Sequence, residues 1–326
     1  MNSLRWGILG TARINRRVIP AMRLARRSEL VAVASRDRSR AEQHATEWSI
    51  PRAITGYEAL LDDAGIDAVY IPLPNTDHVP WTLAAIAAGK HVLCEKPLAL
   101  DPADVDRIAF AAAAARVVVE EGFMYRHEPM TNRVMDLVNE GAVGTIRAVV
   151  SGFTFALEST ANIRMDPALG GGALWDVGSY PVTYAQLIVG HEPKLVFGTG
   201  HWHQSGVDEE FMGMLRFGGG TTANIYAGFR AAYRTWLEIL GSDGGLTVPN
   251  PFRPGPLETL ELERNGVVEQ IEVAGSPEIF VREIENFEAS VLDGAPPIVS
   301  LAESRRTAAT LVALHAAARE TSGVSP

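Results

Sequence analysis

Lysine is almost missing from this chain: of its 29 basic residues, only Lys90, Lys96 and Lys194 are not arginine. Arginine stays protonated in proteins, whereas lysine is a compact charge that can be tuned for chemistry, so each of the three merits inspection. Cysteine is scarcer still. Cys94 stands alone, which excludes an intrachain disulfide and a multi-cysteine metal site and suits a reducing cytoplasm. No stretch of 18 consecutive apolar residues occurs, and MNSLRWGILG lacks the charged, apolar and small-residue regions of a secretory signal, so a soluble cytoplasmic protein without a membrane partner is expected. The net charge of −10, with acids and arginines interspersed, offers no basic stripe to nucleic acid. Internal repeats and low-complexity linkers are absent too.

What is present is enough chain for two domains: 326 residues, 47% hydrophobic. Up to about residue 120, short apolar runs (LRWGILG, VAVAS, IDAVYIPL, HVLCE, RVVVEE) alternate with helical patterns, the layout of parallel strands with crossover helices. DHVPWTLAAIAAG and DPADVDRIAFAAAA both open on Asp, and the second has Pro just inside, a good helix start. Beyond residue 140 the stretches TIRAVVSGFTFAL, PKLVFGTGHW, EEFMGMLRFGGGTTANIYAGF and TWLEILGSDGGLTVPN are strand-like and close together. Turn signals at Gly218 to Gly220 and Asp243 to Gly245 make this an antiparallel sheet built of hairpins. The expected fold is therefore α/β, a doubly wound parallel sheet over residues 1–123 followed by an α+β domain over 124–326. Two closing helical patterns, after residue 276, cover a face of that sheet or pack back on the first domain.

The first strand ends in GILGTARIN, where a dinucleotide needs a tight turn and helix amides aimed at its pyrophosphate. Gly10 supplies the turn, and Gly10, Thr11, Ala12, Arg13 and Ile14 are the candidate contacts. The G-x-G-x-x-G fingerprint is only partly met, because Ala12 and Asn15 stand where glycines would. After the second strand an NAD site usually places an acid. Here the turn carries Ser35 and Arg36, with Arg38 behind, a hydroxyl and guanidinium suited to a 2′-phosphate. NADP is therefore expected over NAD, although Asp37 could turn inward. In YIPLPNTDH, Pro72, Leu73 and Pro74 hold an extended segment, with Asn75 and His78 beside the strand mouth; His78 could equally be an ordinary helix-start residue. Next comes GKHVLCEKPLAL, in which Glu95 and Lys96 either cap a strand end in solvent or belong to a site.

WGILGTARI, PLPNTDH, GKHVLCEKPLAL, EGFMYRHEP and NIRMDPALGGGALWDVGSYPV together resemble the glucose-fructose oxidoreductase and inositol dehydrogenase family of two-domain NAD(P)-dependent sugar enzymes, over nearly the whole chain. The resemblance implies a Rossmann domain and a second domain with a large open, mostly antiparallel sheet through which members often form homo-oligomers. It implies a Lys96 beside the nicotinamide, a cis bond before Pro97, and catalytic roles for Lys96, Asp176 and Tyr180. Many members have histidine where this chain has Tyr180. The tyrosine version is similar to the branch with NADP-dependent xylose dehydrogenases and trans-dihydrodiol dehydrogenases.

The chemistry is coherent. Oxidising an alcohol requires hydride transfer to the nicotinamide while a base takes the hydroxyl proton. A free phenol titrates near 10, but a nearby ammonium favours phenolate, so Lys96 would activate Tyr180. Asp176, four residues before Tyr180 and on the same face if the segment is helical, would pair with Lys96 or position a substrate hydroxyl. Pro181 would kink a helix begun near Ala173 or sit in the first turn of one begun near Ser179. Gly170 to Gly172 would let backbone pass close to the cofactor. Tyr125 and Arg126 are candidates for substrate and ribose contacts, and Asn162, Arg164 and Trp175 for the wall of a sugar pocket, Trp175 by stacking. His201 and His203 have metal-like spacing but no companion carboxylate or cysteine pattern, and read as surface residues with no metal. Three functions follow: an NADP-dependent dehydrogenase of an aldose or cyclic polyol, an NADPH-dependent ketosugar reductase, or a non-catalytic NADP(H)-sensing regulator.

Overall fold

A computed structural model describes residues 3–158 and 162–322. Its chain divides into two compact units, one of residues 1–127 and 278–305 and the other of residues 128–277 and 306–326.

The first unit is a six-stranded parallel sheet in the order β3-β2-β1-β4-β5-β6. Its strands are β1 (Leu4–Leu9), β2 (Ser28–Ser35), β3 (Arg52–Thr55), β4 (Ala68–Ile71), β5 (His91–Glu95) and β6 (Val119–Gly122), joined by α1 (Asn15–Leu24), α2 (Arg38–Glu47), α3 (Tyr57–Leu61), α4 (Asn75–Ala87) and α5 (Pro102–Ala115). All four residues of β4 are buried, as a strand covered on both faces requires. Asp101 caps α5 by accepting from the Ala103 amide, with Pro102 just inside. In contrast, α4 starts at Asn75, two residues before the Asp77 expected to open it.

Residues 278–305 complete this unit, so the first of the two closing helices packs back on the first domain. The segment contains α8, the Phe280–Leu292 helix. Phe287 sits 5.1 Å from the Trp6 ring, Ser28 bridges Trp6 Nε1 to Glu288, and Arg27 forks onto Asp293. Burying Phe287 and Ile284 completely removes from water the apolar face that would otherwise leave this helix unstable on its own.

The second unit is an eight-stranded sheet in the order β14-β13-β12-β11-β7-β10-β9-β8, antiparallel except where β10 runs parallel to β7. Its elements are α6 (Pro129–Asn139), β7 (Ile146–Thr154), α7 (Ser179–Val189), β8 (Leu195–Trp202), β9 (Asp208–Arg216), β10 (Thr222–Gly228), β11 (Arg234–Gly241), β12 (Gly245–Pro249), β13 (Leu257–Arg264) and β14 (Val267–Ala274). The strand-like stretches identified from sequence stop at Asn250, so the β13–β14 hairpin is additional. Asn265 and Gly266 at its tip, with φ of 53° and 76°, form the left-handed pair that two-residue hairpin turns favour. On β9, Phe211 and Leu215 face inward while Met212 and Met214 are exposed, the two-residue period of a sheet with one covered face.

The last helix, α9 (Leu301–Thr321), belongs to the first unit up to Arg305 and to the second from Arg306. In the second unit its backbone passes so close to β8 that a Cβ on Gly198 would stand 2.7 Å from the Leu314 carbonyl oxygen. No helix among the described residues is long and apolar enough to cross a membrane.

Candidate active site

In the first unit the chain leaves β1 toward β2 on one side and β4 on the other, a topological switch point at whose carboxyl edge open α/β sheets bind ligands. Gly10 stands there with φ +115°, a conformation that favours glycine, and a Cβ would lie 2.9 Å from Leu73 Cδ2, so the two loops meet closely across the switch point. The third fingerprint position, Asn15, is fully buried and its side-chain amide donates to the Gly10 carbonyl at 3.0 Å. A polar tie thus holds the turn that a third glycine would shape by close packing.

Ser35 ends β2 with its hydroxyl accepting from the Asp37 amide. Asp37 does not supply the ribose acid of an NAD site: its carboxylate caps α2, accepting from the Arg40 amide and Ser39 hydroxyl. Arg38 pairs with Glu42 on the exposed side of α2 at 2.8 Å, so of the two arginines expected here it is Arg36 that acts on Tyr57. Burial pushes the Tyr57 phenol up while the charges of Arg36 and Arg40 pull it down, and that hydroxyl lies 3.7 Å from where a Gly10 Cβ would be. Arg40 and Tyr57 are thus members of this corner that the sequence reading did not name. Tyr57 was hidden by its distance along the chain, on α3, while Arg40 looks like one more exposed arginine of α2.

Lys96 follows β5 at a turn whose Lys96–Pro97 bond is cis. The turn is held on several sides. Tyr70 donates to Glu95 at 2.6 Å, the Leu98 amide donates to Glu121 at 2.8 Å, and His78 places Nδ1 and Nε2 each 2.8 Å from the Pro97 and Leu73 carbonyls. His78 is therefore a buried clamp between the Pro72–Pro74 loop and the lysine turn, and burial lowers its pKa while both carbonyls oppose that. Lys90, by contrast, spends its ammonium on the carbonyls of Asp63 and Ile66.

Behind the turn lies a group of acids, two of them in the strand-like RVVVEE stretch and one in the first closing helix. Glu120 and Glu121 on β6 and Glu283 on α8 are all buried. Desolvation raises each of them, Glu120 to about 7, with the Glu95 and Glu120 charges adding to the rise at Glu283. His127 is held down at about 3 by burial, so it is neutral at pH 7 and its 3.7 Å approach to Glu120 is no ion pair. Tyr125 is fully buried, 6.1 Å from the Phe123 ring. Arg126, almost as buried, pairs with Glu303 at 2.9 Å.

In the second unit a π-helical turn, Leu174–Gly178, runs directly into α7. Pro181 is the third residue of α7, so both placements considered for it are partly right: the helical path starts at Ala173, and the wide turn accommodates the proline that follows. Asp176 and Tyr180 project from this path. Arg164 Nε donates to Asp176 Oδ2 at 2.5 Å, and Asn162 in turn accepts from the Arg164 amide. Tyr180 is 5% exposed, with its ring 5.4 Å from Phe153 and 5.3 Å from Phe252. Trp175 is buried 6.0 Å from His315.

Each of the three glycines before the turn has its own reason. Gly170 is left-handed (φ 75°), a Cβ on Gly171 would overlap the Arg164 carbonyl, and one on Gly172 (φ 123°) would overlap Asp208 Oδ1. The close approaches they permit within this unit are thus to its own chain. An open cleft of about 520 Å³ adjoins, lined by Asn162, Ile163, Met165, Asp166, Leu169 and Ser205 among others. His201 lies on β8, 3.7 Å from Glu209, and His203 just past its end with Nδ1 3.0 Å from the Ser205 hydroxyl. Among the described residues no group of three or more His, Cys, Asp or Glu is arranged to hold a metal.

Residues 4–123 match the family model described as oxidoreductase family, NAD-binding Rossmann fold, and residues 131–247 match the GFO/IDH/MocA C-terminal domain. The chain belongs to this family. It is 37% identical to the D-xylose 1-dehydrogenase (NADP(+)) 2 of Haloferax volcanii, over 97% of each chain. Among solved structures it is similar to a 3-ketoreductase from Actinomadura kijaniata in complex with NADP and TDP-benzene (33% identity, TM-score 0.91, 97% of this chain and 98% of that one). An aldose-aldose oxidoreductase from Caulobacter crescentus superposes with TM-score 0.90 at 27% identity, over 98% of each chain. This chain is accordingly an NAD(P)-dependent oxidoreductase of the Gfo/Idh/MocA family.

Proposed function

We propose that the protein is an NADP-dependent dehydrogenase of an aldose or cyclic polyol, with Tyr180 as acid/base, Lys96 as the charge that favours its phenolate, and Asp176 as the group that orients a substrate hydroxyl. The observation that carries this reading is the pinned turn on which Tyr180 and Asp176 lie four residues apart, the carboxylate held by Arg164. The nicotinamide, when bound, accepts or gives the hydride. The residues do the rest: Tyr180 takes the proton from the alcohol at its phenol oxygen, and burial of its ring keeps water from competing for it. Mixing the protein with NADP⁺ and a panel of aldoses and cyclic diols should produce reduced-nicotinamide absorbance. Binding of NADP⁺ with no turnover across the panel, in either direction, would instead support a sensor.

The residues present suit a dinucleotide: a glycine turn that a Cβ would crowd, an amide tie beneath it, and a hydroxyl with two arginines at the edge. Ser35, Arg36 and Arg40 would hold a 2′-phosphate. Arg36→Ala should weaken NADP⁺ binding about ten- to a hundred-fold and leave NAD⁺ binding within about two-fold, since only NADP⁺ carries the charge lost from the contact. Equal weakening of both in a titration would refute this assignment.

The second reading, an NADPH-dependent reductase of a nucleotide-linked ketosugar, is supported by the likeness to the Actinomadura kijaniata enzyme. Turnover of a nucleotide-linked ketosugar with NADPH, where free sugars fail, would select it.

A homo-oligomer built on the second unit's sheet completes the proposal. Leu195, Phe197, Met212, Met214 and Leu240 are exposed on that sheet, with Phe197 opposite Met214 across the β8–β9 pair. Such an apolar face is what association covers. Light scattering after size exclusion should give a multiple of 35.2 kDa, and Met212→Lys should lower it; a wild-type monomer would end this part of the proposal.

A further inference from the structure

Asp208 is a buried acid of the second unit. It opens β9, opposite Trp202 where the β8–β9 register shifts, and is 1% exposed. Its Oδ2 accepts from the Leu174 amide at 2.7 Å, and the Ala173 amide also hydrogen-bonds the carboxyl. Oδ1 abuts Gly172, where a Cβ would overlap it at 2.3 Å. The contacts on Asp208 are thus amides of the first residues of the helical path bearing Asp176 and Tyr180. Ala173 caps that path with no side-chain hydrogen bond of its own, so the first amides depend on an acceptor reached from 34 residues further on.

We propose that Asp208 is a positioning residue for the reaction: it fixes the start of the π turn and thereby the direction in which Asp176 and Tyr180 point. Three features fit this role together. Glycine at 172 is needed to admit the carboxyl, the carboxyl is needed to hold the turn, and the turn carries the two groups given roles above. Burial raises the Asp208 pKa to about 7, a cost for an anion in this place that a surface cap would not bear. The inference rests on the acid/base reading of Tyr180, so its test includes a measurement independent of turnover.

In Asp208→Ala, amide hydrogen exchange over residues 173–180 should accelerate at least about ten-fold, because an orphaned amide pair opens more readily. Turnover should fall about ten- to a hundred-fold while the NADP⁺ dissociation constant stays within about two-fold, as a misdirected base costs rate rather than cofactor affinity. Asp208→Asn, which keeps one acceptor oxygen, should recover a substantial part of both losses and serves alone if the alanine variant does not fold. Unchanged exchange would overturn the clamp. Faster exchange with undiminished turnover would overturn the positioning role, as would parallel loss of turnover and cofactor affinity. If Tyr180→Phe retains turnover, the acid/base reading falls, while faster exchange with lost turnover in Asp208→Ala still supports the clamp.

Discussion

Tyr180→Phe should yield a folded protein that binds NADP⁺ within about two-fold of the parent and turns over about a thousand times more slowly, within the range general acid–base catalysis supplies. The substitution removes one oxygen and keeps the ring. The packing of that ring between Phe153 and Phe252 therefore survives, and so should the melting temperature to within a few degrees. Cofactor titration, thermal unfolding and single-turnover rates on the same preparation separate these effects. Turnover within about ten-fold of the parent would remove Tyr180 from the chemistry.

Lys96→Met should lower turnover by about a hundred-fold or more and move the limb of the pH profile on which the base ionises upward by about one to two units. The direction follows from charge. An ammonium favours phenolate, so its removal leaves the phenol protonated to higher pH. Methionine keeps the unbranched stem, and the turn around residue 96 is held by Tyr70, His78 and Glu121 rather than by the lysine head alone. If the two residues act as one device, Lys96→Met added to Tyr180→Phe should cost little further rate. A limb that stays in place in the single variant would show that Lys96 does something else.

Much of the architecture could be read from pattern because local chemistry and global fold agree. Apolar runs of four to eight residues alternating with helices became a parallel sheet, and the shift in pattern beyond residue 140 became a large, mostly antiparallel one. The β13–β14 hairpin escaped because LETLELER and VVEQIEVA are so charged and exposed that they read as solvated chain. The destination of residues 278–305 stayed open between two alternatives because an amphipathic helix states that it must be covered, not by what.

In the candidate site, Gly10, Ser35, Arg36, Lys96, Asp176 and Tyr180 were legible because each departs from its local context or completes a family motif. Their supports were not. Glu121 looks like the polar end of a strand, Asp208 like a turn residue and His78 like a helix start, and only coordinates reveal that each is buried against the backbone of a loop it holds. Burial is the property that a single sequence reports least well for charged residues, since most of them are on the surface.

The first unit borrows a helix from beyond a break in its chain: it leaves off at His127 and resumes only with residues 278–305. During synthesis, Trp6 must therefore wait for Phe287 to emerge from the ribosome, with residues 128–277 of the other unit made first. A fragment cut after residue 127 should accordingly be a poor reagent for nucleotide binding, sticky along the flank where the missing helix belongs, whereas a circular permutant that joins 278–305 directly to the N-terminal segment would restore it.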